Sequence, residues 1–251
     1  MRTLVLDLGN STLFGGVFAD DRLVRQFRLT APLPAGWAGA LRARLRGRID
    51  HVAFCSVVPA RTKSVASAVH RAFGVEPQVL SATANHGLHL AYRRPAELGA
   101  DRVANVLGAQ KLCPGRNVIV VDCGTATTLT LLGRNGRLLG GAILPGLGLW
   151  SAMLAQRTAR LPAIVLRASP KFVGRSTQDA LRSGIVRGHA GAIRELLRGS
   201  RREAFGRAPV TVIGTGGWVT HLNDQRLFTR IEPGLILHGL HEFSHRLSCH
   251  A

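Results

Sequence analysis

One phrase occurs twice in this chain, and it constrains the fold more than any other feature. Near the N-terminus the apolar residues Leu4, Val5 and Leu6 run straight into Asp7-Leu8-Gly9-Asn10-Ser11-Thr12. Much further along, Val118-Ile119-Val120-Val121 runs into Asp122-Cys123-Gly124-Thr125-Ala126-Thr127-Thr128. Each reads as a buried strand ending in aspartate, then a spacer, a glycine and small residues bearing hydroxyl or amide groups. A carboxylate at a strand end can hold a metal ion or its water. Glycine lets backbone approach an anion closely, and the N–H and hydroxyl groups that follow can donate to phosphate oxygens. A single Asp-x-Gly is an ordinary turn. Two copies, each launched from an apolar strand, describe a duplicated domain closing on the phosphate chain of a nucleotide.

The remaining pattern repeats in the same sense. Leu4 to Phe18 and Arg22 to Leu29 read as hairpin strands with Asp20-Asp21 at a turn. A helix over Ala38 to Leu45, a strand over His51 to Val58, a helix over Arg61 to Phe73 stopped by Gly74, and a strand over Glu76 to Leu80 follow. A polar loop over 82–98 leads to a helix over Ala100 to Leu112, stopped by Cys113-Pro114-Gly115. The second half restarts with strands at Val118 to Val121, Thr128 to Leu132 and Leu138 to Leu144, the last two joined by a hairpin turn at 133–136. Helices over Leu147 to Arg157 and Thr177 to Arg198, a strand over Val210 to Ile213 and a final helix over Pro233 to Leu247 complete it. The expectation is an α/β duplication of halves 1–115 and 116–251.

Composition bounds the class. The 251 residues, 46% of them hydrophobic, are ample for a core and too apolar for disorder. No apolar stretch reaches the ~18 residues of a membrane span, and Asp7 interrupts the first apolar run too early for a signal peptide. Cys55, Cys113, Cys123 and Cys249 are scattered without a CxxC pair, which points to a reduced, cytoplasmic setting and away from zinc. The net charge is +19, carried almost wholly by arginine. These arginines are spread along the chain and aromatics are only 5%, so the reading is a basic surface with at most non-specific nucleic-acid binding.

The ordered motifs resemble the type III pantothenate kinases, members of the sugar kinase, heat-shock chaperone ATPase and actin superfamily. They are DLGNST at 7–12, SVVP at 56–59, the Tyr92 to Arg102 segment with GADR at 99–102, DCGTATT at 122–128, GGAILPG at 140–146, LP at 161–162, GRSTQDALRSG at 174–184 and GTGG at 214–217. The resemblance implies two ribonuclease-H-like (actin-like ATPase) halves with an active-site cleft between them, and a homodimer with active sites near the subunit interface. It implies ATP-dependent phosphorylation of the primary hydroxyl of pantothenate, the first step of coenzyme A synthesis, with Mg²⁺ and K⁺ or NH₄⁺ as cofactors.

Residue by residue, the resemblance assigns the segment Asp7, Leu8, Gly9, Asn10, Ser11, Thr12, Leu13 and Phe14 to the first phosphate loop, with Asp7 positioning Mg²⁺ through water. Asp122 matches the monovalent-cation ligand and Thr125 a nucleotide contact. Gly99, Ala100, Asp101 and Arg102 match a substrate segment, with Asp101 as catalytic base and Arg102 pairing with the pantothenate carboxylate. Tyr92 and Thr177 match substrate-contacting positions, Thr177 reaching across the dimer, and Gly214 to Gly217 an adenosine-side glycine loop. Two departures stand out: Thr130 replaces a frequent acidic residue, and Arg175-Ser176 replaces Lys-Asn. Two alternatives remain open at this point: a kinase of another hydroxylated metabolite, and a non-catalytic regulatory protein of the same fold.

Overall fold

Strands that are buried on both faces come out as continuous apolar runs, and those at sheet edges as mixed ones. The computed structural model, which describes residues 1–45, 47–167 and 171–248, obeys this rule in two compact units. The first unit comprises Met1–Leu112 and the segment from Gly234 onward; the second comprises Cys113–Pro233.

In the first unit, strands β1 (Arg2–Leu8), β2 (Thr12–Ala19) and β3 (Arg22–Thr30) form an antiparallel meander. Helix α1 (Trp37–Arg44), strand β4 (His51–Ser56), helix α2 (Pro59–Phe73), strand β5 (Gln78–Leu80), the short strand β6 (His89–Leu90) and helix α3 (Ala100–Leu112) follow. The sheet order is β3-β2-β1-β4-β5, with β4 parallel to β1. Central β1 buries Leu4, Val5, Leu6 and Leu8 completely, each such side chain stabilising the fold by about 1.5–3 kcal/mol relative to exposure. Edge strand β3 leaves Arg22, Arg25 and Arg28 exposed, and charges of this kind discourage pairing with a foreign strand.

The second unit repeats the plan. Strands β7 (Asn117–Cys123), β8 (Ala126–Leu132) and β9 (Arg137–Pro145) form the meander. Helix α4 (Leu147–Arg157) and helix α5 (Thr177–Phe205) follow, then strand β10 (Val210–Thr215), parallel to β7, and strand β11 (Arg230–Ile231), parallel to β10. Within the unit the strands run in the order β9-β8-β7-β10-β11, which matches that of the first sheet. This is the ribonuclease-H-like arrangement, found twice. Helix α5 lays Ile185, Val186, Ala190, Ile193 and Leu197 against Ile119, Val121 and Leu129 of the sheet.

The sequence-based division at 115/116 differs from these units in one element. The final helix α6 (Leu235–Ser248) belongs with the first unit, not with the half that precedes it in the chain. The cause is close backbone contact. A Cβ on Gly239 of α6 would overlap the Ala104 carbonyl of α3, and one on Gly108 would overlap the Leu235 carbonyl. Phe18 of β2 stacks on His241 at 4.1 Å, and Ser244 Oγ donates to Gln78 Oε1 at 2.7 Å. Arg246 donates to the His86 carbonyl at 2.9 Å and to Gln110 Oε1 at 3.1 Å. The periodicity of a helix says which face is apolar and nothing about which unit will receive it.

No helix among the described residues is long and apolar enough to cross a membrane. Cys55, Cys113 and Cys123 are free thiols, and Cys249 lies outside the described residues.

Candidate active site

The first Asp-x-Gly turn closes between register partners Leu8 and Leu13. Gly9 N–H donates to the Thr12 carbonyl at 2.9 Å, leaving Asn10 and Ser11 exposed at the tip. Leu8, Leu13 and Phe14 have buried side chains, so these members of the proposed phosphate loop have backbone groups to offer an anion rather than side chains. Asp7 is half-buried at the end of β1, and its register partners are Phe14 on β2 and Cys55 on β4. Cys55 Sγ donates to Asp7 Oδ1 at 3.5 Å. The SVVP motif is tied in beside them: Val57 N–H donates to the Leu8 carbonyl at 3.1 Å, and Ser56 Oγ accepts from Val58 N–H at 3.0 Å.

Helix α3 packs against β4 in the same unit. Asp101 lies in its first turn, where a carboxylate is favoured by the helix dipole. Its carboxylate folds back so closely that a Cβ on Gly99 would overlap Oδ1. Burial lifts the Asp101 carboxyl above its ordinary value, against the opposing pull of the Arg102 N–H and guanidinium. A carboxylate made more basic in this way suits proton acceptance. Burial, together with the nearby charges of Asp7 and Asp101, likewise pushes the Cys55 thiol well up. Asp7, Cys55 and Asp101 therefore form one cluster.

Arg102 is 4% exposed and donates to the Tyr92 hydroxyl at 2.9 Å. Two of the residues read as substrate contacts, Tyr92 and Arg102, thus lie together, with the guanidinium fixing the phenol.

The second turn is one residue tighter, closing between register partners Cys123 and Thr127. It is held from two sides by backbone. Gly146 N–H, at the start of α4, donates to the Thr125 carbonyl at 3.0 Å, and a Cβ on Gly146 would overlap the Gly124 and Thr125 carbonyls. Trp218 N–H donates to the Cys123 carbonyl at 2.9 Å. Gly216 has φ +89°, and a Cβ there would overlap Asp122 Oδ1 and lie 2.7 Å from Cys123 N. The GTGG loop therefore cradles Asp122. Sequence reasoning placed this loop beside adenosine and did not find its packing on the aspartate.

Asp122 is half-buried and Thr125 is exposed. Behind them Thr127 Oγ1 lies 3.1 Å from His189 Nε2 of α5, and burial lowers that histidine to about 4, so it is neutral at physiological pH. Thr130 is buried on β8.

Thr177 opens α5. Ser176 caps it, its hydroxyl accepting from Asp179 N–H at 3.2 Å, and Arg182 braces Asp179 at 2.9 Å. Thr177 lines an apolar groove of about 660 Å³ with Pro145, Trp150, Met153, Leu154 and Leu161.

Among the described residues, no three His, Cys, Asp or Glu side chains converge to hold a metal. Single half-buried carboxylates such as Asp7 and Asp122 fit ions that arrive with the oxygens of a phosphate chain.

The family profile described as type III pantothenate kinase matches residues 3–199. A type III pantothenate kinase of Legionella pneumophila is 38% identical over 245 residues, spanning 94% of this chain and 96% of the relative. Two solved structures share the fold. A Campylobacter jejuni chain described as of the Baf family of transcriptional activators has a TM-score of 0.64 at 19% identity, covering 98% of this chain and 99% of that one. A ROK hexokinase from Thermus thermophilus has a TM-score of 0.56 at 14% identity, covering 100% of both. Those identities speak to fold alone; the profile and the Legionella relative place the chain in the type III pantothenate kinase family.

Proposed function

We propose that this chain phosphorylates the primary hydroxyl of pantothenate with ATP, giving 4'-phosphopantothenate in the first step of coenzyme A synthesis. Family membership over nearly the whole chain carries the reading. The geometry of the first unit agrees with it, because phosphoryl transfer asks the protein for positioning and charge rather than covalent chemistry.

Asp101 accepts the hydroxyl proton as the γ-phosphoryl group arrives, a role supported by its raised basicity. The backbone and hydroxyls of 7–14 hold the phosphates, with Thr125 as a further nucleotide contact. Tyr92, the Gly99–Ala100 start of α3, Arg102 and Thr177 contact pantothenate. The Tyr92–Arg102 hydrogen bond favours the two acting together on its polar end. Mg²⁺ would be held by Asp7 through water and K⁺ or NH₄⁺ by Asp122; when bound, both offset the phosphate charge.

The test is a coupled phosphorylation assay offering pantothenate and a panel of sugars, with and without K⁺. Turnover of a sugar but not of pantothenate would overturn the assignment.

The homodimer belongs to the same reading. The groove beside Thr177 is almost wholly apolar, and Ile143, Met153, Val165, Phe172 and Val173 are exposed in the same unit, Phe172 at 75% and Val173 at 76%. Exposed apolar surface of this extent favours burial against a partner. Light scattering after gel filtration is expected to give twice the 26.9 kDa chain mass. The +19 charge is read as a general basic surface, with DNA binding that is sequence-independent and falls steeply with salt.

A further inference from the structure

A buried cysteine in a central strand is commonly a small apolar filler. Cys55 is fully buried on β4, yet it faces a carboxylate rather than hydrocarbon. Asp7 and Cys55 are register partners on parallel neighbours, so their side chains leave the sheet on the same face. The thiol reaches Asp7 Oδ1 at 3.5 Å, within range for a sulfur donor.

The second unit provides an independent control, because its register is the same. Asp122 at the end of β7 has Thr215 of β10 as its parallel partner, and Thr215 is 2% exposed. In each unit the residue beside the strand-end aspartate is small, buried and able to donate a hydrogen bond. Its two immediate predecessors differ: Ala53 and Phe54 on β4, against Ile213 and Gly214 on β10. A donor beside the aspartate thus recurs where the two residues just before it do not.

We infer that Cys55 is a positioning residue for phosphoryl transfer: its thiol donates to Asp7 and sets the rotamer in which that carboxylate meets the phosphate end of the nucleotide. This rests on the reading of 7–14 as the phosphate loop. The thiol touches no substrate and stays an intact S–H throughout. Its contribution is a fixed donor to that carboxylate, which is the support a binding constellation needs from its surroundings. A serine at this position would donate as well, whereas valine, of similar volume, would not.

The experiment compares the binding of Mg²⁺ with a non-hydrolysable ATP analogue, by calorimetry, in the parent, Cys55→Val, Cys55→Ser, Asp7→Asn and the double variant. Cys55→Val should weaken binding about fivefold to tenfold, the usual range for one lost hydrogen bond. Cys55→Ser should return it to within about twofold of the parent. The double variant should bind no more weakly than Asp7→Asn alone, since the thiol acts only through that carboxylate. Parental binding by Cys55→Val, or losses that add in the double variant, would overturn the inference. Parental binding by Asp7→Asn would instead overturn the phosphate-loop reading, and the inference with it.

A second measurement needs no change at position 55. The infrared S–H stretch of Cys55 should lie at low frequency in the ligand-free parent and move up in Asp7→Asn. An unmoved band would also overturn the inference.

Discussion

The two Asp-x-Gly turns share a strand order and a register, but differ in what surrounds the aspartate. In the first unit Asp7 meets a side chain, the thiol of Cys55 from β4, and the same thiol feels a second carboxylate of raised basicity, Asp101 at the start of α3. In the second unit backbone closes in on Asp122, beside its register partner Thr215. Gly216 and Gly146 press main chain against the turn, and Trp218 N–H closes it. On the proposed reading the first strand end serves proton transfer and the second holds an ion and a nucleotide contact. This division of labour is the account to be broken or sharpened.

The largest effect expected separates Asp7 from Asp101 in the first unit. Asp101→Asn keeps size and hydrogen bonding but removes the base, and should lower kcat by about 10²–10⁴-fold. Affinity for the Mg-nucleotide should hardly change, whereas Asp7→Asn should weaken it. Steady-state kinetics together with calorimetry on both variants checks this, and a parental kcat in Asp101→Asn would dissolve the contrast.

The next effect falls on the rigid turn. Gly216→Ala forces a side chain into a left-handed backbone conformation and against Asp122. It should destabilise the fold by on the order of 2–3 kcal/mol. Denaturant titration measures the loss, and an unchanged midpoint would mean that the cradle is not tight. A smaller and more selective effect is expected from cation choice. Activity should need K⁺ or NH₄⁺ and fall in Na⁺ at equal ionic strength, and Asp122→Asn should flatten that preference. Equal rates in all three salts for the parent would remove the ion from the account of the second turn, where Thr130 already departs from the family pattern.

The smallest effect is one of stability. Because the folded state raises the Asp101 pKa above its ordinary 3.8, the folded protein binds that proton more tightly than the unfolded chain. The associated stability is present at low pH and lost as pH rises through the raised value. Asp101→Asn should therefore melt above the parent at neutral pH, and the gap should close in acid.

Much of the architecture was legible in the amino-acid sequence because it is local. Helix α3 spans Ala100–Leu112 and α4 Leu147–Arg157, as their periodicity and stop signals indicate. Helix α5 runs on through Gly199, which a helix interior tolerates at a cost, to Phe205 and stops at Gly206. The two-residue strands β6 and β11 carry too little pattern to be read. What escaped is non-local. The docking of α6 on α3 depends on two glycines far apart in the chain, Gly108 and Gly239. Cys55 meets Asp7 only through a parallel register that no spacing reveals, although its place just before the SVVP motif was a hint. Gly216 was visible as part of a glycine loop, but its contact with Asp122 was not. Family resemblance named Asp101; the burial that makes it basic needed the fold.

The most direct test of the account is the pH dependence of kcat/KM for the parent and for Asp101→Asn. If Asp101 is the base, the parental rate must fall as pH drops through its raised pKa, at a pH above the ordinary 3.8 of an aspartate. The residual rate of Asp101→Asn must lack that limb. An acid limb that persists at the same pH in the variant would place the base elsewhere and contradict the division between the two units.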